Sequence, residues 1–163
     1  MLTTSAINSN KIIISRHDIV DVLKDTHNNQ LSLHATVSFS TKDIVSDFFA
    51  GTTQPFATYL TIQVDTKQHI TLLPEFLQYI NHSCNPNVFF DTVLMKLVCL
   101  KTILPGEELM FFYPSTEWDM AKPFTCNCGN DNCLQLIKGA GHIPTKTLKQ
   151  YRLSDFIKQK LSS

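Results

Sequence analysis

Alternation with a period of two runs through the middle of the chain. Leu31, Leu33, Ala35, Val37 and Phe39 are separated by smaller or polar residues, the pattern of a half-buried strand. Residues 56–64 are rich in β-branched and aromatic side chains and predict a second strand. Residues 65–68 predict a hairpin turn into a third strand at 69–73. Pro74 and Glu75 then open a single helical turn, since proline suits the first helical position, where its missing N–H costs nothing. Three more short strands are expected at 87–91, 96–102 and 107–113, the last introduced by a Pro105-Gly106 turn. Residues 50–55 read as a turn. Upstream the pattern is weaker: an apolar run at 12–14, a faint helical spacing through Ile19, Val20, Val22 and Leu23, and a turn at 26–30. Residues 145–162 read as one helix, with Leu148, Tyr151, Phe156, Ile157 and Leu161 on or near one side. The expectation is a β-rich α+β domain of short strands with a helical C-terminal segment.

Composition narrows the function classes. Of 163 residues, 43% are hydrophobic, enough for a real core. Fourteen basic side chains balance fourteen acidic ones, so the broad basic footprint of a nucleic-acid binder is missing and no direct nucleic-acid binding is expected. The balance hides an asymmetry. Six of the basic residues and only one acid, Asp155, lie from Leu134 onward, which leaves an acidic body and a basic tail. The sharper implication is a body able to receive a basic peptide. The apolar runs are too short to span a membrane, and residues 1–14 have no basic start followed by a long apolar stretch.

Cysteine placement brings in candidate chemistry. Cys126, Cys128 and Cys133 form a C-x-C-x4-C cluster, and Cys84 and Cys99 stand apart. Five cysteines, three of them within eight residues, make a poor disulfide framework and a good metal loop. This favours a reducing compartment and an intracellular protein, cytoplasmic or nuclear. Thiolates suit zinc, Gly129 lets the chain turn around an ion, and an iron–sulfur cluster is the less fitting alternative. A structural zinc needs a fourth ligand, from Cys84, Cys99 or a histidine such as His142. Cys99, inside an apolar strand, reads as a buried hydrophobe. Cys84, in the polar turn Asn81-His-Ser-Cys-Asn-Pro-Asn87, is the favoured fourth ligand.

That turn is followed by Gly106-Glu-Glu-Leu-Met-Phe-Phe-Tyr113 and then by the cysteine loop, with Trp118 between them. The order and spacing resemble the SET-domain protein lysine methyltransferases, whose signatures look like N-H-S-C-x-P-N and E-L-x-F-D-Y followed by a post-SET zinc loop. The resemblance is specific over residues 81–133 and extends back to about residue 31. It implies a SET fold of several short-stranded sheets with a pseudoknot. The divisions it suggests are an N-terminal extension (1–30), a SET domain (31–122), a post-SET zinc loop (123–142) and a C-terminal helical segment (143–163).

The resemblance also implies roles. Asn81 and His82 match positions that hold S-adenosylmethionine. Trp118 and Phe124 resemble aromatic positions that close over cofactor and peptide. Tyr113 matches the tyrosine at which the methyl passes to the lysine amine, Phe111 the Phe/Tyr switch position, and Tyr59 a second channel tyrosine. Cys84, Cys126, Cys128 and Cys133 match the zinc ligands. The partner implied is a protein presenting a lysine, a histone or another basic segment.

Such chemistry suits these residue types. Displacement at a sulfonium methyl needs near-linear approach, so positioning supplies much of the rate, up to roughly 7–11 kcal/mol for well-oriented partners. The amine must be neutral, and a dry aromatic channel disfavours its ammonium form. The chain departs from the family pattern in two places. No G-x-G precedes the first motif, Gly51 being the only glycine before Gly106, and Phe112 replaces the usual aspartate. These departures motivate an alternative reading: a catalytically weak, zinc-stabilised SET-like module that binds a basic peptide.

Overall fold

The computed structural model describes residues 10–163. Its first sheet is an antiparallel meander of β1 (Lys11–His17), β2 (Val20–Asp25) and β3 (Leu31–Ala35). The helical spacing expected at 19–23 gives way to strand here. Val20 and Val22 lie two apart and are each 1% exposed, and β2 is hydrogen-bonded on both edges, so tertiary pairing of β-branched residues overrides a faint local pattern. Residues 11–25 are thus structurally continuous with β3; the first nine residues of the expected extension lie outside the described ones.

A second sheet has the order β4 (Ile44–Asp47), β10 (Lys96–Cys99), β9 (Val88–Asp91), and a third β5 (Phe49–Gln54), β7 (Gln68–Leu73), β6 (Thr61–Asp65). The 65–68 hairpin and the helical turn after Pro74, a 3-10 turn at Glu75–Tyr79, stand as expected. The turn expected at 50–55 is instead β5, an exposed edge strand with a bulge between Ala50 and Thr53. Its small and threonine residues carry little apolar signal because they face solvent. The strand expected at 56–64 starts only at Thr61, and Phe56 and Tyr59 are exposed in the loop before it.

The three sheets enclose one core, in which Leu33, Phe48, Ile70, Phe90, Leu97 and Leu109 are fully buried. Phe90 packs edge-on to both Phe48 and Phe111, with centroids 5.3 and 4.9 Å away.

The expected C-terminal helix is two, α1 (Thr145–Leu148) and α2 (Asp155–Ser162). Ser154 interrupts them and caps α2 by accepting the Ile157 N–H. Leu148, Leu153, Phe156 and Ile157 are buried with Phe112 and Ala140 in a second, smaller core. Arg152 reaches back over the Phe89 ring and pairs with Asp91 at 3.3 Å. No helix among the described residues is long and apolar enough to cross a membrane.

Candidate functional site

Two short strands, β8 (Asn81–His82) and β11 (Met110–Phe111), run parallel and side by side. The strand expected at 107–113 is regular only over these two residues because its neighbours change along its length. Ala35 and Leu33 bond to Glu107 and Leu109 on the β3 side; Ser83 and Asn87 donate to the Phe111 and Met110 carbonyls on the β8 side. Pro114 then turns the chain into a 3-10 turn, Tyr113–Ser115. The segment therefore wedges between β3 and residues 81–87, far apart in sequence.

Side chains lock this junction. The Asn87 Oδ1 accepts from Met110 N–H at 2.8 Å, and its Nδ2 donates to the Glu108 carbonyl. His82 Nδ1 accepts the Tyr113 N–H at 3.1 Å, which places the ring proton on Nε2, 3.4 Å from Cys84 Sγ. Burial holds His82 down to about 4, so the ring is neutral. Asn81 Nδ2 donates to Leu31 O and to Glu108 Oε1, and Lys11 Nζ approaches Glu108 Oε2 at 3.7 Å.

Two cavities flank Tyr113. The larger, about 560 Å³, has walls from Tyr59, Tyr79, Phe111, Phe124 and Glu117. The smaller, about 480 Å³, is more polar and is lined by Lys11, Asp25, Ser32, His82 and Glu108. Gln30, Asn81, Tyr113 and Phe124 line both. Tyr113 donates its hydroxyl to Ile80 O at 3.2 Å. Burial, with Glu108 and Glu117 nearby, pushes its phenol well above its ordinary range, so the hydroxyl keeps its proton. Phe111 packs against it at 4.6 Å between centroids.

The expected site residues thus divide. Asn81, His82, Phe111, Tyr113 and Phe124 converge on this junction. Tyr59 lines the larger cavity but is 81% exposed and stands at its mouth. Trp118 lines neither cavity. It belongs to the second core, where Lys160 lies 5.1 Å above its ring and a Cβ on Gly141 would come within 2.9 Å of it. Phe112, at the aspartate position, also turns away from the site and stacks on Tyr151 at 3.7 Å and 9°. Missed from sequence were Tyr79, Lys11 and Glu117. Only the fold brings them to the cavities, and no local spacing marks them.

Cys84, Cys126, Cys128 and Cys133 carry their sulfurs within 4.8 Å of one another, a set that could hold a metal ion. A tetrahedron with metal–sulfur distances near 2.3 Å has edges of about 3.8 Å; Cys84 and Cys126 are 3.9 Å apart. Gly129 adopts φ +72°, the left-handed conformation the tight turn requires. Asn132 Nδ2 and the Tyr151 hydroxyl both donate to Cys84 O, at 2.7 and 2.8 Å, tying loop and C-terminal segment to residue 84. Burial and the neighbouring thiols push Cys84 well above the ordinary thiol range, so a shared cation is what would let four thiolates coexist. Cys99 is elsewhere, its thiol facing Lys101 O. β12 (Phe124–Thr125) and β13 (Leu136–Ile137) pair across the base of the loop.

Comparison with known proteins follows the same outline. A SET domain family model matches residues 1–114. A methyltransferase designated flvH from Aspergillus flavus is 34% identical over 150 residues, 91% of this chain and 84% of that protein. A histone-lysine N-methyltransferase, H3 lysine-36 specific, from Chaetomium globosum is 32% identical over 90 residues, 48% of this chain but only 10% of that much longer protein. The methyltransferase domain of human histone-lysine N-methyltransferase SETMAR shares the fold, with a TM-score of 0.50 and 18% identity over 70% of this chain and 56% of that one.

Proposed function

The chain belongs to the SET domain family, and on that premise we propose that it transfers a methyl group from S-adenosylmethionine to the side-chain amine of a lysine in a protein substrate. Family membership supports methyl transfer. The observation that carries the finer reading is the meeting of a polar and an aromatic cavity at Tyr113.

The residues of the polar cavity fit the cofactor. Asn81, His82 and Phe124 stand on its wall, and Lys11, Asp25 and Glu108 offer charges of both signs to an amino-acid end. Gln30 and Ser32, on either side of Leu31 where β3 begins, also line it, and the glycine pair that the family usually carries is missing. Bound there, S-adenosylmethionine would supply an electrophilic methyl on its sulfonium.

The chain's own residues do the rest. His82 fixes Tyr113 against β8 through its ring nitrogen. Tyr113 keeps its hydroxyl proton and is part of the wall common to both cavities. Phe111, Tyr59 and Tyr79 suit the methylene stem of a lysine and the cation–π attraction of its methylated forms. Excluding water, this wall favours a neutral amine. The four cysteines would hold a structural zinc, and the loop such an ion would close lies on the cofactor side, because Cys126 and Cys128 also line the polar cavity. Lysine as acceptor is supported by the histone-lysine relatives, matched over less than half of this chain.

Host-cell lysate treated with purified protein and labelled cofactor, searched by mass spectrometry, should yield methyl-lysine on a protein. Calorimetry should show cofactor binding. Methyl label that lands only on other groups would overturn the lysine assignment, and absence of cofactor binding would favour a zinc-stabilised peptide-binding module instead.

A further inference from the structure

We infer that Glu117 receives the proton of the substrate's ammonium group, converting it to the neutral nucleophile; this rests on the amine-methylating reading above.

Two acids line the larger cavity. Glu75 is exposed, whereas Glu117 is 7% exposed. Glu117 reaches this place because residues 113–117 turn back over the edge of β6. Its N–H bonds to the Tyr113 carbonyl at 3.0 Å, and its Oε1 accepts the Gln63 N–H at 3.0 Å and the Thr116 hydroxyl at 3.5 Å. In return, Gln63 Oε1 accepts the Trp118 N–H. One oxygen of the carboxyl therefore has a structural task that an amide oxygen could perform equally well. The other does not: Oε2 is sealed from solvent and has no hydrogen-bond partner among the described residues. A buried, half-satisfied carboxyl is costly to keep, and such groups gather where protons are moved.

Its surroundings suit that task. Burial pushes Glu117 up to about 8, against the opposing hydrogen bonds from Gln63 and Thr116. That value is close to the pH at which a general base works best. The other groups around it leave it as the acceptor. The Tyr113 phenol holds its proton. His69, opposite Gln63 on β7, is lowered by burial. Lys122 and Glu75 are exposed on the cavity wall. Glu108 lies in the other cavity, engaged with Lys11 and Asn81.

The step balances. The substrate enters as an ammonium and Glu117 as a carboxylate. One N–H bond breaks, an O–H bond forms on the carboxyl, and the electron pair remains on nitrogen to take the methyl group. The ion pair and the neutral pair hold the same number of protons, and an aromatic, water-poor cavity favours the neutral one. The proton on Glu117 passes to water when product leaves.

The test is the pH dependence of kcat/KM on a lysine substrate. In the parent protein it should rise through about pH 8, as Glu117 ionises. Glu117→Gln keeps the acceptor for Gln63 but cannot take a proton, so its activity should instead rise towards the amine's own pKa, about 10.4. At pH 8 the variant should be on the order of 100-fold slower, and the gap should close above pH 10. Glu117→Asp should keep the lower rise at reduced kcat. Identical pH midpoints in parent and Glu117→Gln would reduce Glu117 to a structural residue. A turnover-free readout is the carboxyl carbon resonance of Glu117 in labelled parent protein titrated with n-butylamine. Its midpoint should rise as the probe binds, because the bound amine hands its proton to the carboxyl, and an unmoved or lowered midpoint overturns the assignment even if the variants fail to fold. Should the parent methylate no lysine, the acceptor proposed earlier fails, while the resonance still decides the role of Glu117.

Discussion

Cys84→Ser tests whether one metal joins the β8–β11 strand pair to the cysteine loop. Cys84 is fully buried two residues after His82, and its sulfur lies 3.9 Å from that of Cys126. The sulfur also receives the Leu134 N–H at 3.4 Å, a contact a serine hydroxyl can partly keep. The substitution therefore removes a soft ligand with little change in packing. Structural zinc is worth roughly 10–16 kcal/mol at neutral pH. Divided over four ligands, one thiolate accounts for on the order of 3 kcal/mol, about 100-fold or more in metal affinity. Apart from side-chain hydrogen bonds such as Asn132 to Cys84 O, the loop has little core of its own: β12 and β13 pair over two residues each, and Ile137 is its main fully buried apolar side chain. Metal analysis should find one zinc per parent chain and a loss in Cys84→Ser. Hydrogen exchange should then rise across 123–142, and methyl transfer should fall with it. Cys99→Ser is the control, because its thiol bonds to Lys101 O away from the cluster. Its zinc content should stay at the parent level. Full zinc in Cys84→Ser, or zinc lost from Cys99→Ser, would show that the fourth ligand has been misassigned.

Tyr113→Phe removes the hydroxyl that donates to Ile80 O and keeps the ring packing; methyl transfer should fall at least tenfold with little change in cofactor affinity by calorimetry, and full activity would remove Tyr113 from the reaction. Phe111 has no hydroxyl to anchor a water beside the amine, so di- or trimethyl products are expected, shifting towards monomethyl in Phe111→Tyr; strictly monomethyl product from the parent would contradict this. Deletion from Thr145 exposes Phe112 and discards Leu148, Leu153, Phe156 and Ile157. At roughly 1.5–3 kcal/mol per buried side chain, this should lower the melting temperature or solubility markedly, and an unchanged melting curve would mean the second core contributes nothing.

The resemblance of Asn81–Asn87, Gly106–Tyr113 and the cysteine triplet to a known family was legible because each is a short, local run of residue types with few alternative uses. The first two runs contain Asn81, His82, Phe111 and Tyr113, and Phe124 stands two residues before the cysteine triplet. Cys84 could be singled out for a similar reason, since a thiol in a polar turn has little packing role there. The body of β3 and the 65–68 hairpin were also readable, because alternation and turn residues act locally. Other features were illegible for a common reason: their states are set by partners distant in sequence. β2 is a strand because β1 and β3 pair with it on both edges, and β5 because β7 offers it an edge. Trp118 has the aromatic character of a cofactor lid, but Gly141 and Lys160, more than twenty residues later, draw it into the second core. Phe112 is apolar because Tyr151 stacks on it. The sequence by itself determined the family, the tyrosine at the junction and the thiols able to share a metal, all encoded in residue type and spacing. Only the tertiary structure decided that two cavities share Tyr113 as a wall, and that Glu117 is buried beside the larger one with an oxygen unpaired among the described residues. Burial and convergence are properties of the packed chain, and no short window of sequence contains them.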